Sequence, residues 1–112
     1  MWKKTIRSGA MMTKLTIEDL KTALKRLPDW SLAAEREAIT RSFKFVDFDA
    51  AFAFMTRSAL LAAKMDHHPE WTNVYNKVDV TLATHDEGGV TQKDIDLAMA
   101  MDGYAALMSG GR

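Results

Sequence analysis

Apolar residues recur every three to four positions in three stretches of the chain and alternate with polar ones in the stretches between. Ile17, Leu20, Ala23, Leu24 and Leu27 make the first helical row. Thr16 supplies a capping oxygen, Glu18 and Asp19 place acids in the first turn, and Pro28 stops the run. From Trp30 the period falls to two. Trp30 and Leu32 alternate with Ser31 and Ala33; after the polar break Glu35-Arg36-Glu37 come Ile39, Ser42 and Phe43-Lys44-Phe45, with Phe43 and Phe45 on one face. The pattern predicts strands over 29–34 and 38–46, joined as a hairpin.

Asp47 or Asp49 caps a longer helix that runs to about Met65. Phe48, Phe52, Met55, Ala59 and Ala62 form one apolar stripe on it, and Phe54, Leu61 and Met65 a second. A helix apolar on two sides needs two neighbours, so one side is expected on a sheet and the other on a second subunit. Pro69 biases His68 away from helical geometry, which ends this helix between Asp66 and His68. Thr72 to Tyr75 and Val78 to Thr84 then predict a second hairpin, turning at Asn76-Lys77, with Val78, Val80 and Leu82 on one face. After the break at Gly88-Gly89, Thr91 with Asp94 forms a capping box. The last helix carries Ile95, Ala98 and Met99, and beside them Leu97, Met101, Tyr104 and Met108. Such an order predicts an α+β fold: a two-layer sandwich in which a four-stranded antiparallel sheet carries two long helices on one face, plus a short N-terminal helix.

Composition narrows the possibilities. A length of 112 residues without internal repeats suits one domain, expected over 15–112. Before it, Lys3, Lys4, Arg7 and Lys14 stand with no acid until Glu18, as in a transit peptide, but with little hydrophobic face. With Met11 and Met12 as other possible starts, residues 1–14 are expected to be a flexible or mis-started tail. Fifteen basic and fifteen acidic residues cancel, which argues against nucleic acid as a partner. No apolar run reaches the roughly 18 to 20 residues of a membrane span. The absence of cysteine excludes thiolate chemistry and disulfides, and suits a cytoplasmic setting.

The chemistry gathers between Asp66 and Asp86, where all three histidines lie: His67, His68 and His85. The first two enter the second hairpin and the third leaves it. A turn at Asn76-Lys77 sets His68 opposite His85, about 5 Å away across neighbouring strands. Three readings stand. The histidines are hydrogen-bonded or exposed surface groups; or they hold zinc with a water; or they do acid/base work without metal. Adjacent side chains on an extended segment point to opposite faces, which counts against His67 and His68 sharing an ion. Close imidazoles resist double protonation, so one can act as base while another acts as acid. Asp66 or Asp86 could orient a ring. There is no Gly-x-Ser-x-Gly elbow and no glycine-rich phosphate loop.

The run FMTRSALLAAKMDHHPEWTNVYNKVDVTLATHD strongly resembles the pterin-4a-carbinolamine dehydratases, marked by His-His-Pro-Glu-Trp, Asn-Val-Tyr-Asn and Thr-His followed by an acid. The likeness extends more weakly from about Leu15 to the C-terminus and includes Asp94-Ile95-Asp96-Leu97-Ala98. It implies dehydration of a 4a-hydroxy-tetrahydropterin to the quinonoid dihydropterin, without metal or other cofactor, recycling the pterin of an aromatic amino acid hydroxylase. It implies catalytic roles for His67, His68 and His85, and pterin contacts at Asp66, Thr84 and Asp86. Trp71 matches a family tryptophan, as a wall for a flat ring or as packing. Asp94 matches a position near the site, or simply caps the helix. Many relatives carry glutamate where this chain has Ala63, one turn before His67. The resemblance also implies a homotetramer or homodimer. Some animal relatives serve as dimerisation cofactors of a homeodomain transcription factor, which leaves a non-enzymatic protein-binding module as the alternative.

Overall fold

Thr16 starts the first helix as its spacing predicts. In the computed structural model, which describes residues 13–110, its Oγ1 accepts the Asp19 amide at 3.0 Å. Helix α1 spans Ile17–Leu24 and buries Leu20. Residues 1–12, most of the expected tail, lie outside the described part. Strand β1, Ser31–Leu32, and strand β2, Ile39–Lys44, form the first hairpin. β1 is shorter than expected: the Ala33 amide still bonds the Ala38 carbonyl at 2.8 Å, in register with the hairpin, but the chain then bends over 34–37. Helix α2 spans Phe48–Met65, with the Asp47 side chain accepting the Ala50 amide. Strands β3, Glu70–Val74, and β4, Lys77–Leu82, make the second hairpin, and helix α3 spans Gln92–Gly110.

The sheet order is β1-β2-β4-β3, antiparallel throughout, so the two hairpins join along their longest strands. Six residue pairs zip β2 to β4, from Ile39 opposite Leu82 to Lys44 opposite Lys77. Alternation decides what is buried. Ile39 and Phe43 of β2 and Val78, Val80 and Leu82 of β4 point inward with Phe45, whereas Ser42 and Lys44 stay outside. Against them lie Ala51, Phe54 and Ala62 of α2 and Ile95, Leu97, Ala98 and Met101 of α3. Phe54 sits 4.6 Å from the Phe43 ring centroid and 5.0 Å from that of Phe45. Truncating a ring so enclosed costs about 3–5 kcal/mol. Asp102 ties the layers at one end, accepting Trp30 Nε1 at 2.8 Å and Arg41 at 2.6 Å.

Two expectations need correction. The inward stripe of α2 is Ala51, Phe54, Ser58 and Ala62, because the helix aims Phe54 at the sheet aromatics. Phe48 and Phe52 instead stack on each other at 5.5 Å, 42% and 54% exposed. The second correction concerns register. Val74 pairs with Lys77, so Tyr75 and Asn76 make the turn, with Tyr75 in the left-handed region at φ 51°. Asn76 is held there by the residue just after β2, donating to the Phe45 carbonyl and accepting the Phe45 amide. Glu70 therefore faces Thr81, whereas a turn at Asn76-Lys77 would set it opposite Ala83. β4 ends at Leu82, and no strand pairing joins His68 to His85.

Candidate functional site

The histidines meet all the same, by loop geometry. Helix α2 ends on Asp66, a left-handed cap at φ 54°, and the His67 amide reaches back to the Ala62 carbonyl at 3.0 Å. That closure reverses the chain within two residues and satisfies the last carbonyls of the helix. Pro69 then holds the exit extended into β3. On the other side, Thr84 bridges Gly89 and encloses a short 3-10 turn over His85–Glu87, closed by Gly88 at φ 70°. Between the two turns lies a cleft of about 550 Å³, lined by Asp66, His67, His68, Ala83, Thr84, His85, Asp86 and Lys93. Such a volume falls within the range of small-molecule sites.

The three rings occupy different surroundings. His67 is 7% exposed, whereas His68 and His85 are exposed at the cleft rim. His67 Nε2 lies 2.5 Å from Oδ1 of Asp94, a residue with no exposure at all. The other Asp94 oxygen accepts Thr84 Oγ1 at 2.8 Å and the Thr91 amide at 2.9 Å. Thr84 thus spends its hydroxyl proton on Asp94, so the 2.7 Å contact between Thr84 and Thr91 must be donated by Thr91. Thr91 Oγ1 in turn accepts the Lys93 amide at 3.3 Å. Every member of this buried chain has a partner. With Asp94 accepting from Nε2, the neutral His67 ring keeps its lone pair on Nδ1.

Of the residues singled out in the sequence, six line the cleft: Asp66, His67, His68, Thr84, His85 and Asp86. Asp94 stands behind them, both reciprocal cap of α3 and partner of His67. Trp71 is elsewhere. On β3 it pairs with Val80 of β4 and packs half-buried against the core. Ala63 is exposed in the last turn of α2 and does not line the cleft. Sequence reasoning missed Lys93, whose Nζ approaches the Met65 carbonyl at 3.4 Å from the same cleft wall. Its position inside the Thr91–Asp94 capping box was the available signal. Glu70 was also passed over. Its carboxyl is held below the usual carboxylate range, first by hydrogen bonds from Arg36 and in smaller part by the charge of His85.

Comparison with known proteins finds relatives over most of the chain. The family model for pterin 4 alpha carbinolamine dehydratase matches residues 13–104. A Burkholderia multivorans protein, provisionally named a pterin-4-alpha-carbinolamine dehydratase, is 58% identical over 96 residues, covering 86% of this chain and 94% of its own. A similarly named Rhodopseudomonas palustris protein is 60% identical over 99 residues, covering 88% and 98%. The crystal structure of a transcriptional coactivator/pterin dehydratase from Brucella melitensis superposes with a TM-score of 0.82 at 56% identity, over 83% of this chain and 99% of that one.

Proposed function

Because the chain belongs to the pterin-4a-carbinolamine dehydratase family, we propose that its histidine cleft dehydrates a 4a-hydroxy-tetrahydropterin to the quinonoid dihydropterin. The step is a net loss of water. One imidazole takes the proton from the ring nitrogen next to C4a, and that nitrogen's electrons form the new carbon–nitrogen double bond. The C4a–oxygen bond breaks as a second imidazole protonates the departing hydroxyl. No metal, oxidant or reductant enters the balance.

The gathering of three histidines in one cleft, with only His67 anchored to a buried carboxylate, carries the reading. It divides the rings chemically: a fixed one with a defined lone pair, and two at the rim exposed to water. Asp66, Thr84 and Asp86 contribute pterin contacts from the cleft wall. Asp94 acts through His67, and Trp71 acts as packing beneath the hairpin. In this role the protein returns pterin to an aromatic amino acid hydroxylase in the cytoplasm. Exposed Phe48, Phe52 and Leu60 along α2 support self-association as a homotetramer or homodimer.

Purified protein should accelerate dehydration of a chemically generated carbinolamine. A rate unchanged by replacing both His67 and His85 with alanine would sink the proposal, and stoichiometric zinc in active protein would overturn the metal-free mechanism. The double name of the Brucella melitensis relative favours a second reading, a protein-binding module that partners a transcription regulator. A wild-type chain that binds such a partner but leaves the carbinolamine rate at its uncatalysed value would select it.

A further inference from the structure

The loop between β1 and β2 touches both ends of the histidine hairpin through adjacent residues. Arg36 forms a fork with Glu70, Nη1 to Oε1 at 2.7 Å and Nη2 to Oε2 at 2.9 Å. Glu70 is the first residue of β3, directly after His67-His68-Pro69. Glu37 pairs with Lys14, and these two side chains close over Gly89, where a Cβ would stand 2.8 Å from Lys14 and 2.9 Å from Glu37. Gly89 is the residue that bridges Thr84 and closes the turn carrying His85.

The sheet registers say what lies between. Ile39, just after the loop, pairs with Leu82, and Glu70 pairs with Thr81. The loop therefore sits at the end of β4 from which Ala83, Thr84 and His85 emerge, and the Arg36–Glu70 fork spans that exit from one sheet edge toward the other. An isolated surface ion pair contributes little to stability, but a bidentate fork fixes orientation as well as distance. Neither Arg36 nor Glu37 lines the cleft.

We propose that Arg36 and Glu37 are positioning residues, a two-point clamp that sets the spacing between the His67-His68 entrance and the His85 exit of the cleft. The clamp works on geometry: the Arg36 fork fixes where β3 begins, and Glu37 with Lys14 fixes the turn that carries His85. Acid and base on one substrate need their separation held closely, and small misplacements of such groups cost rate more than binding. This inference rests on the dehydratase reading for its kinetic consequence, but its structural half can be read without substrate.

The test uses the full chain with labelled histidine, whose three ring spectra are few enough to resolve. Arg36→Ala should shift the His85 and His68 ring signals and lower kcat about fivefold or more, with KM changed less than twofold. Arg36→Glu combined with Glu70→Arg rebuilds the fork in reverse and should restore both the spectra and kcat, whereas either single reversal should not. Ring spectra and kcat that stay at wild-type values in Arg36→Ala would overturn the clamp, as would a reversed pair no better than its single variants. A melting temperature lowered with kcat intact would do the same, assigning the fork to stability alone. A wild-type chain without dehydratase activity would count against the function, and the ring spectra would still decide the clamp.

Discussion

His67 Nε2 and Asp94 Oδ1 are 2.5 Å apart inside the protein, with Asp94 wholly shielded from water. The pair unites two jobs that sequence reading keeps separate, since the same carboxylate also accepts the Thr91 amide at the start of α3. Replacing Asp94 with asparagine keeps the shape but brings an NH2 group against groups that already donate. We expect kcat to fall by about 100-fold or more, as when a histidine loses its orienting carboxylate. Asp94→Ala leaves the Thr84 hydroxyl, the Thr91 amide and His67 without their acceptor and should cost about 3–5 kcal/mol in urea unfolding.

Glu70 gives a pH signature. Its carboxyl is held below the ordinary value of 4.5, first by the Arg36 hydrogen bonds. A group depressed on folding adds stability above its unfolded pKa and loses it as pH falls through the folded one. The contribution is therefore complete at neutral pH and disappears on acidification below about 4.5. Urea midpoints followed down in pH should drop more steeply in wild type than in Arg36→Ala, and the two curves should converge at the acid end. The pair is exposed, so the gap will be small.

Tyr75 holds a left-handed backbone at φ 51° while 61% exposed. A side chain there strains the turn and gains little from packing. Tyr75→Gly or Tyr75→Asn should stabilise the protein by roughly 0.5–1 kcal/mol. A lower melting temperature in both variants would show that the tyrosine ring is making contacts that outweigh the strain.

Ser58 faces inward from the middle of α2 with its hydroxyl buried and unpartnered. Alanine removes an unsatisfied polar group and has the higher helix propensity. Ser58→Ala should raise unfolding stability by about 1 kcal/mol and leave carbinolamine turnover unchanged.

The secondary elements were legible because each carries its own local signal. Thr16, Asp47 and the Thr91–Asp94 box mark helix starts by spacing alone, and alternation in β2 and β4 marks the buried sheet face. Register was less legible. A turn with Tyr75 in the left-handed region has no Asn-Gly signature, and what selects it is the Asn76 bonding to Phe45, a residue 31 positions away. The convergence of the histidines was expected from strand pairing and arises instead from the Asp66 cap and the Thr84–Gly89 bridge. Trp71 shows the limit of a motif: its place beside the histidines in sequence leaves wall and packing both open, and only its pairing with Val80 sets it half-buried against the core. Arg36 was invisible because a charged residue on a loop has no period, and only tertiary proximity gives it a role; Lys93 had just its place inside the Thr91–Asp94 box to mark it.

The shared acceptor at Asp94 makes the Thr91 amide a reporter. That N–H can exchange with solvent only when its bond to Asp94 opens, and opening it loosens the anchor of His67 as well. The exchange rate of one backbone amide, followed in deuterated water, therefore counts how often the cleft comes undone, and ligand that grips the His67 ring should slow that clock in proportion to its occupancy.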